Sequence, residues 1–221
     1  MDSSDINEIR EAADWQFIDG VTTNPTLMRK QGKDPLEVIK EISDLFPETA
    51  SISAEVVGGH HEEMLNEATP YRDYCSNITI KVPMTMEGLK ACRYLTRDGV
   101  SVNVTLIFSP AQAILASKAG ATYVSPFVGR VEDQAFDGID LIRSIDEIYN
   151  KCYADTLILG ASIRNVKQVI DCFKYGADVV TMPFSVYNQM YNHILTDKGL
   201  ELFDRDWAEL QSILKNDYAK G

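Results

Sequence analysis

The segment NITIKVPMT, residues 77–85, sets a lysine among β-branched residues. Ile78, Ile80 and Val82 alternate along it and so share one face of a strand, which leaves Thr79 and Lys81 on the other. A buried ammonium is costly unless it is paired or neutralised. Desolvation lowers an amine below its usual pKa of ~10.4. A neutral amine attacks carbonyls and forms a Schiff base. The same position suits a lysine that pairs with Glu55 or reaches out at a strand end, and the pattern alone leaves these readings level.

Other residues could serve such chemistry. Asp2 and Glu55 are the candidate acid/base groups. In VNVTLIFS (102–109), Asn103 and Thr105 are two apart and face one side. There an amide and a hydroxyl can hold a sugar hydroxyl and a catalytic water, although cross-strand hydrogen bonding explains them too. In DGVTTNPTL (19–27), Asn24 precedes Pro25, which biases it to extended backbone and aims its amide at the strand end. Simple turn chemistry is the alternative. SPFVGRVED (125–133) and GASIRN (160–165) each offer a serine and an arginine. Arg130 and Arg164 are planar donors for phosphate or carboxylate, with Ser125 and Ser162 adding hydroxyls. Surface ion pairs are the alternative for each arginine. Asp5 reads as a helix cap and Asp19 as a turn residue. His60 and His61 read as a solvated loop and His193 as structural. The His, Asp and Glu residues form no zinc-like spacing, so no metal site is expected. Neither a serine nucleophile elbow nor a glycine-rich phosphate loop is present.

These residues need elements to position them. Short β-rich runs recur at 17–23, 51–57, 77–83, 100–108, 122–128, 155–163 and 178–184. Helical stretches lie between them. DPLEVIKEISDLF aligns Leu36, Ile39, Ile42 and Leu45. SPAQAILASKAG opens on Ser-Pro and ends in Gly120, and NVKQVIDCFKYGA opens on Asn165. Alternation of strand and helix implies a parallel sheet with crossover helices. The polar residues choose among such sheets. Glu55, Lys81, Asn103, Thr105, Ser125 and Ser162 fall late in, or just past, five of the runs. In a (β/α)8 barrel, inward residues at the C-terminal strand ends form the floor of the active site. The expectation is an α/β protein of one domain, residues 1–221. It would be a (β/α)8 TIM barrel, of which seven strands are visible. Residues 186–221 would form a helical extension, its apolar face made by Leu200, Phe203, Trp207, Leu210 and Leu214.

The 221 residues are 45% hydrophobic and 24% charged, enough apolar material for a sizeable core. A net charge of −12 offers no basic footprint for nucleic acid or an anionic membrane. No apolar run approaches the roughly 20 residues of a membrane span. MDSSDINEIR lacks the basic and apolar regions of a secretory signal. Cys75, Cys92, Cys152 and Cys172 are scattered, as reduced, buried thiols of a cytoplasmic protein would be.

Taken together, DGVTTNPTL, AEV, IKVPMT, NVTLIFS, SPFVGR and GASIRN resemble the transaldolase family. The resemblance is strongest to its short members, which include the fructose-6-phosphate aldolases, and covers essentially the whole chain in order. It implies a (β/α)8 class I aldolase without metal or cofactor. Lys81 would be the Schiff-base lysine, and Asp2 the acid/base on the hydroxyl whose deprotonation breaks the C–C bond. Asn24 and Asn103 would hold substrate hydroxyls and the intermediate. Glu55 and Thr105 would position a proton-shuttling water. Ser125 would contact the donor, and Arg130, Ser162 and Arg164 would bind a sugar phosphate. In fructose-6-phosphate aldolases the place of Glu55 is a glutamine and that of Phe127 a tyrosine. Here both match transaldolases, so transfer of a dihydroxyacetone unit from sedoheptulose 7-phosphate or fructose 6-phosphate to an aldose phosphate is expected. Simple aldolase cleavage is the alternative, and a weakly active sugar-phosphate-binding protein another. Short family members form rings of five and decamers, so a homo-oligomer is implied. Family members carry apolar residues before the aspartate, where this chain has only "MD", so the resemblance implies either a truncated first strand that closes the barrel as a stub or a natural start upstream of this one.

Overall fold

The structure, a computed structural model, describes residues 1–218. Its elements in chain order are α1 (Ile6–Asp14), β1 (Gly20–Thr22), α2 (Pro25–Gln31), α3 (Pro35–Ser43), β2 (Ser51–Glu55), α4 (His61–Arg72), β3 (Ile78–Pro83), α5 (Met86–Arg97), β4 (Val102–Ile107), α6 (Pro110–Ala119), β5 (Tyr123–Pro126), α7 (Val128–Glu132), α8 (Gly138–Cys152), β6 (Leu157–Gly160), α9 (Val166–Lys174), β7 (Val179–Val180), α10 (Phe184–Tyr191) and α11 (Ile194–Tyr218). Each of the seven β-rich runs of the sequence contains one strand. All seven pair in parallel in the order β1 to β7.

The expected first strand is the segment Met1–Ser3, which bridges the two edges of this sheet. The Asp2 amide donates to the Met182 carbonyl at 2.8 Å, the Thr22 amide to the Met1 carbonyl at 2.8 Å, and the Ser3 amide to the Thr22 carbonyl at 3.2 Å. Asp2 and Thr22 form a parallel bridge. Three residues thus link the β1 edge of the sheet to the residues just past β7 and close the barrel there.

Local signals set the helix starts. Asn24, Asp34, Thr85, Ser109, Asp137 and Asn165 each accept a backbone N–H of the helix they precede. α2, α3 and α6 open on proline, whose missing N–H is lost nowhere cheaper. Gly32 and Gly120 close α2 and α6 in the left-handed conformation. α3 stops at Ser43, so Leu45 lies past its end while Ile39 and Ile42 are buried. His60 keeps the solvated-loop place expected of it, exposed and extended just before α4, whereas His61 departs from that expectation. His61 opens α4, stacks on Tyr94 and meets a Glu87 carboxylate oxygen at 2.6 Å through Nδ1. Glu87 also takes Lys90 at 2.6 Å, and Lys90 with His61 holds its carboxyl down at about 2.

The strands are buried on both faces, as in a parallel sheet covered by helices. Along β3, Ile78, Ile80 and Val82 pack outward beneath α4 and α5, while Thr79 and Lys81 are buried on the inner side. The cysteines are all free. Burial pushes the Cys92 and Cys172 thiols up to about 12, whereas Cys75 is half-buried and Cys152 exposed, against the expectation of four buried thiols.

The chain divides into a compact unit Met1–Val186 and a second unit from Tyr187 onward. In the second, Leu200, Phe203, Trp207, Leu210 and Leu214 are all exposed. Among the described residues no helix is long and apolar enough to cross a membrane. Because Ile80 is fully buried on the strand that carries Lys81, Ile80→Ala is expected to cost about 2–5 kcal/mol in urea unfolding. A loss below ~1 kcal/mol would show that the outer face of β3 is not core.

Candidate active site

Register brings the first group together. Glu55 pairs with Lys81 across β2 and β3, and Lys81 with Asn103 across β3 and β4. Residues side by side in a parallel sheet point the same way, so these three form one inward layer. Lys81 is only 5% exposed. Its Nζ lies 2.9 Å from Glu55 Oε2 and donates to the Thr23 carbonyl at 3.0 Å. The lysine–glutamate pair that the sequence left open is therefore present, and it stands inside the barrel rather than at a solvated rim.

Beside this amine, along β4, the polar groups are incompletely used. Ser125 Oγ donates to Asn103 Oδ1 at 2.7 Å, which leaves Asn103 Nδ2 without a protein partner. Thr105 Oγ1, two residues further along β4, also lacks one. Asn103 is 0% and Thr105 1% exposed. Buried polar atoms are almost always satisfied, so two orphans in one barrel interior mark a place for a polar ligand or water.

A bulge follows at once. Val104 pairs with Val124, but Ile107 pairs with Pro126, so β4 carries one residue more than β5 over this stretch. The extra turn falls on Leu106, at φ 63°. A leucine in the left-handed region is strained, and bulges of this kind re-aim side chains beside functional sites.

Asp2 and Lys81 are joined through neighbouring residues of one strand end. Thr22 Oγ1 donates to Asp2 Oδ1 at 2.8 Å and lies 2.7 Å from Thr181 Oγ1. With its proton given to Asp2, Thr22 must accept from Thr181, which orients all three groups. Thr23, next in the chain, supplies the carbonyl that holds Lys81. The sequence reading treated Thr22 and Thr23 only as part of a turn and passed over Thr181. The run of Thr-Thr at a strand end was the available signal. Asn24 caps α2, its Oδ1 accepting from Leu27 N at 3.0 Å. The turn role named as its alternative is real, and it employs only the amide oxygen.

The arginines form a second group. Arg130 and Arg164 line one cleft of about 810 Å³ together with Phe108 and Asp133. The Arg130 guanidinium lies over the Phe127 ring, 4.9 Å from its centroid, and Phe108 meets Phe127 edge-on at 5.7 Å. Arg164 pairs with both oxygens of Asp133, at 2.6 and 2.5 Å. The surface ion pair considered for the arginines thus holds for Arg164. Ser162 takes φ 59°, and its carbonyl oxygen would stand 2.1 Å from a Cβ on Gly129. Only glycine permits SPFVGR and GASIRN to approach so closely, a requirement sequence reasoning missed although the glycine is visible in the motif.

Comparison with known proteins places this geometry. The family model described as transaldolase/fructose-6-phosphate aldolase matches residues 1–215. A protein of Caulobacter sp. (strain K31) named probable transaldolase is 52% identical over 215 residues, 97% of this chain and 98% of its own. Those of Paracoccus denitrificans, 51% identical over 209 residues with 95% of each chain covered, and Thermodesulfovibrio yellowstonii, 46% identical over 211 residues with 96% and 98% covered, carry the same name. A solved chain described as "Native KDPGal structure" superposes with a TM-score of 0.57 at 16% identity, over 80% of this chain and 76% of that one, a likeness of fold alone. With its motifs, its barrel and its relatives in agreement along nearly the full length, the chain belongs to the transaldolase/fructose-6-phosphate aldolase family.

Proposed function

We propose that the protein is a transaldolase that moves a dihydroxyacetone unit between sugar phosphates through a Schiff base on Lys81. The observation that carries this reading is the buried Lys81 amine, 2.9 Å from a carboxylate and in the same barrel interior as the unpartnered Asn103 and Thr105 atoms. Lys81 adds to the C2 carbonyl of a ketose phosphate such as fructose 6-phosphate or sedoheptulose 7-phosphate. Glu55, with a water held by Thr105, takes the proton from the amine and returns one as water leaves, giving the iminium. Asp2 then removes the C4 hydroxyl proton. The C3–C4 bond breaks, its electron pair moves into the iminium, and the aldose phosphate departs. The enamine adds to the acceptor aldehyde, Asp2 returns the proton, and hydrolysis frees Lys81. Asn24, Asn103 and Ser125 hold hydroxyls of the three-carbon unit. Arg130, Ser162 and Arg164 hold the phosphate.

Transfer rather than release is favoured by Phe127. A tyrosine hydroxyl there can protonate the enamine and let dihydroxyacetone leave, which a phenyl ring cannot do. The neighbouring Phe108 ring, edge-on to Phe127 at 5.7 Å, likewise offers no proton there. We further read the protein as a cytoplasmic homo-oligomer, a pentamer or decamer as in short family members. Four free cysteines suit a reducing compartment, and the exposed apolar residues of α11 suit burial against another copy.

Incubation with fructose 6-phosphate and borohydride is expected to fix the three-carbon unit on Lys81, seen by peptide mass spectrometry. Lys81→Met should show no adduct and lose on the order of 10⁴-fold or more in kcat. An adduct elsewhere, or an active Lys81→Met, defeats the mechanism. In a coupled assay, turnover of fructose 6-phosphate should depend on added erythrose 4-phosphate, and Phe127→Tyr should raise free dihydroxyacetone about tenfold. Acceptor-independent release by the unmodified protein would assign an aldolase, and calorimetric binding without turnover a sugar-phosphate-binding protein. Light scattering should give a mass several times that of one chain, falling in Phe203→Glu/Trp207→Glu; a monomer in the unmodified protein contradicts the assembly.

A further inference from the structure

We propose that Asp133 is an internal counter-ion, which occupies the Arg164 guanidinium until a phosphate group displaces it and so sets how far the site prefers phosphorylated over unphosphorylated sugars. This rests on reading Arg164 as a phosphate donor.

Three carboxylates line the arginine cleft: Asp133, Asp137 and Asp140. Two are otherwise committed. Asp137 caps α8, accepting from Ile139 N and Asp140 N at 2.9 Å each, and Asp140 pairs with Arg143. Asp133 alone of the three is spent on an arginine assigned to phosphate. It does so with both oxygens, in the fork geometry a phosphate would use.

Arg164 has supports besides Asp133. Its backbone N–H donates to Gln168 Oε1 at 2.7 Å, and Gln168 Nε2 donates to Glu132 Oε2 at 2.6 Å, which ties the start of α9 to the end of α7. Its side chain crosses the backbone at Gly129, where a Cβ would stand 2.9 Å from Nε. What Asp133 adds is charge. The pair is about half exposed, 51% for Arg164 and 43% for Asp133, so it is weak and readily exchanged. A dianionic phosphate outcompetes a single carboxylate for the fork, whereas a hydroxyl does not. While Asp133 remains nearby, its negative charge opposes the incoming phosphate, in a chain whose net charge is already −12.

The test compares Asp133→Asn and Arg164→Gln with the unmodified protein. Inorganic phosphate binding is followed by calorimetry, and KM is measured for a phosphorylated and an unphosphorylated ketose. Asp133→Asn should bind inorganic phosphate about three- to tenfold more tightly and lower KM for the phosphorylated ketose to match, with KM for the unphosphorylated one steady. Asp133→Ser, which lacks the amide, should behave alike. Weaker phosphate binding in both Asp133 variants would make Asp133 a positioning residue and overturn the counter-ion. No change in them, with binding lost in Arg164→Gln, overturns it while sparing the reading of Arg164. Unaltered phosphate binding in Arg164→Gln overturns that reading and the counter-ion together.

Discussion

The in-register pairing of β2, β3 and β4 is the constraint on which the site depends. It sets Glu55, Lys81 and Asn103 side by side although they lie far apart in the chain. A slip of one residue in β3 would turn Ile80 inward and Lys81 into the helix layer. The outward isoleucines and valines guard against that slip, since each would lose its buried place. The pairing also makes the lysine tolerable. Buried as it is, Lys81 has a carboxylate at 2.9 Å and a carbonyl at 3.0 Å as partners for its N–H groups. Fold and chemistry thus share one register.

What the sequence disclosed follows from what local pattern can encode. Alternation located all seven strands and turned Lys81 inward, and the cap residues Asp5, Ser109 and Asn165 act as their types suggest. The stub at Met1–Ser3 was foreseen as a short first strand, but its hydrogen bonds to both sheet edges depend on register, which no local pattern fixes. Thr23 was missed because it contributes a carbonyl, a group every residue offers. Asp133 was read as part of a motif rather than as a partner, since a surface ion pair leaves no periodicity. His61 was misjudged because its partners, Glu87 and Tyr94, lie on another helix.

An acidic chain that handles acidic substrates must gather its donors locally. Here the arginines come from two neighbouring strand ends, and the aromatic ring of Phe127 rather than a carboxylate sits beneath Arg130. The polar atoms of the barrel interior are divided in a comparable way. Ser125 satisfies the oxygen of Asn103 and leaves its N–H₂ open, so the interior presents a donor facing inward. The seam adds a directed chain of hydroxyls from Thr181 through Thr22 to Asp2, which fixes that carboxylate at the closing point of the barrel.

The bulge at Leu106 has a consequence for the inner layer. Continued alternation along β4 would make Ile107 the next inward residue after Asn103 and Thr105, and would stand a branched hydrocarbon over the lysine. Because Ile107 pairs with Pro126 instead, it takes the face opposite Ser125 and is wholly buried there. One strained leucine thereby moves that hydrocarbon from the polar inner layer into the packing behind it.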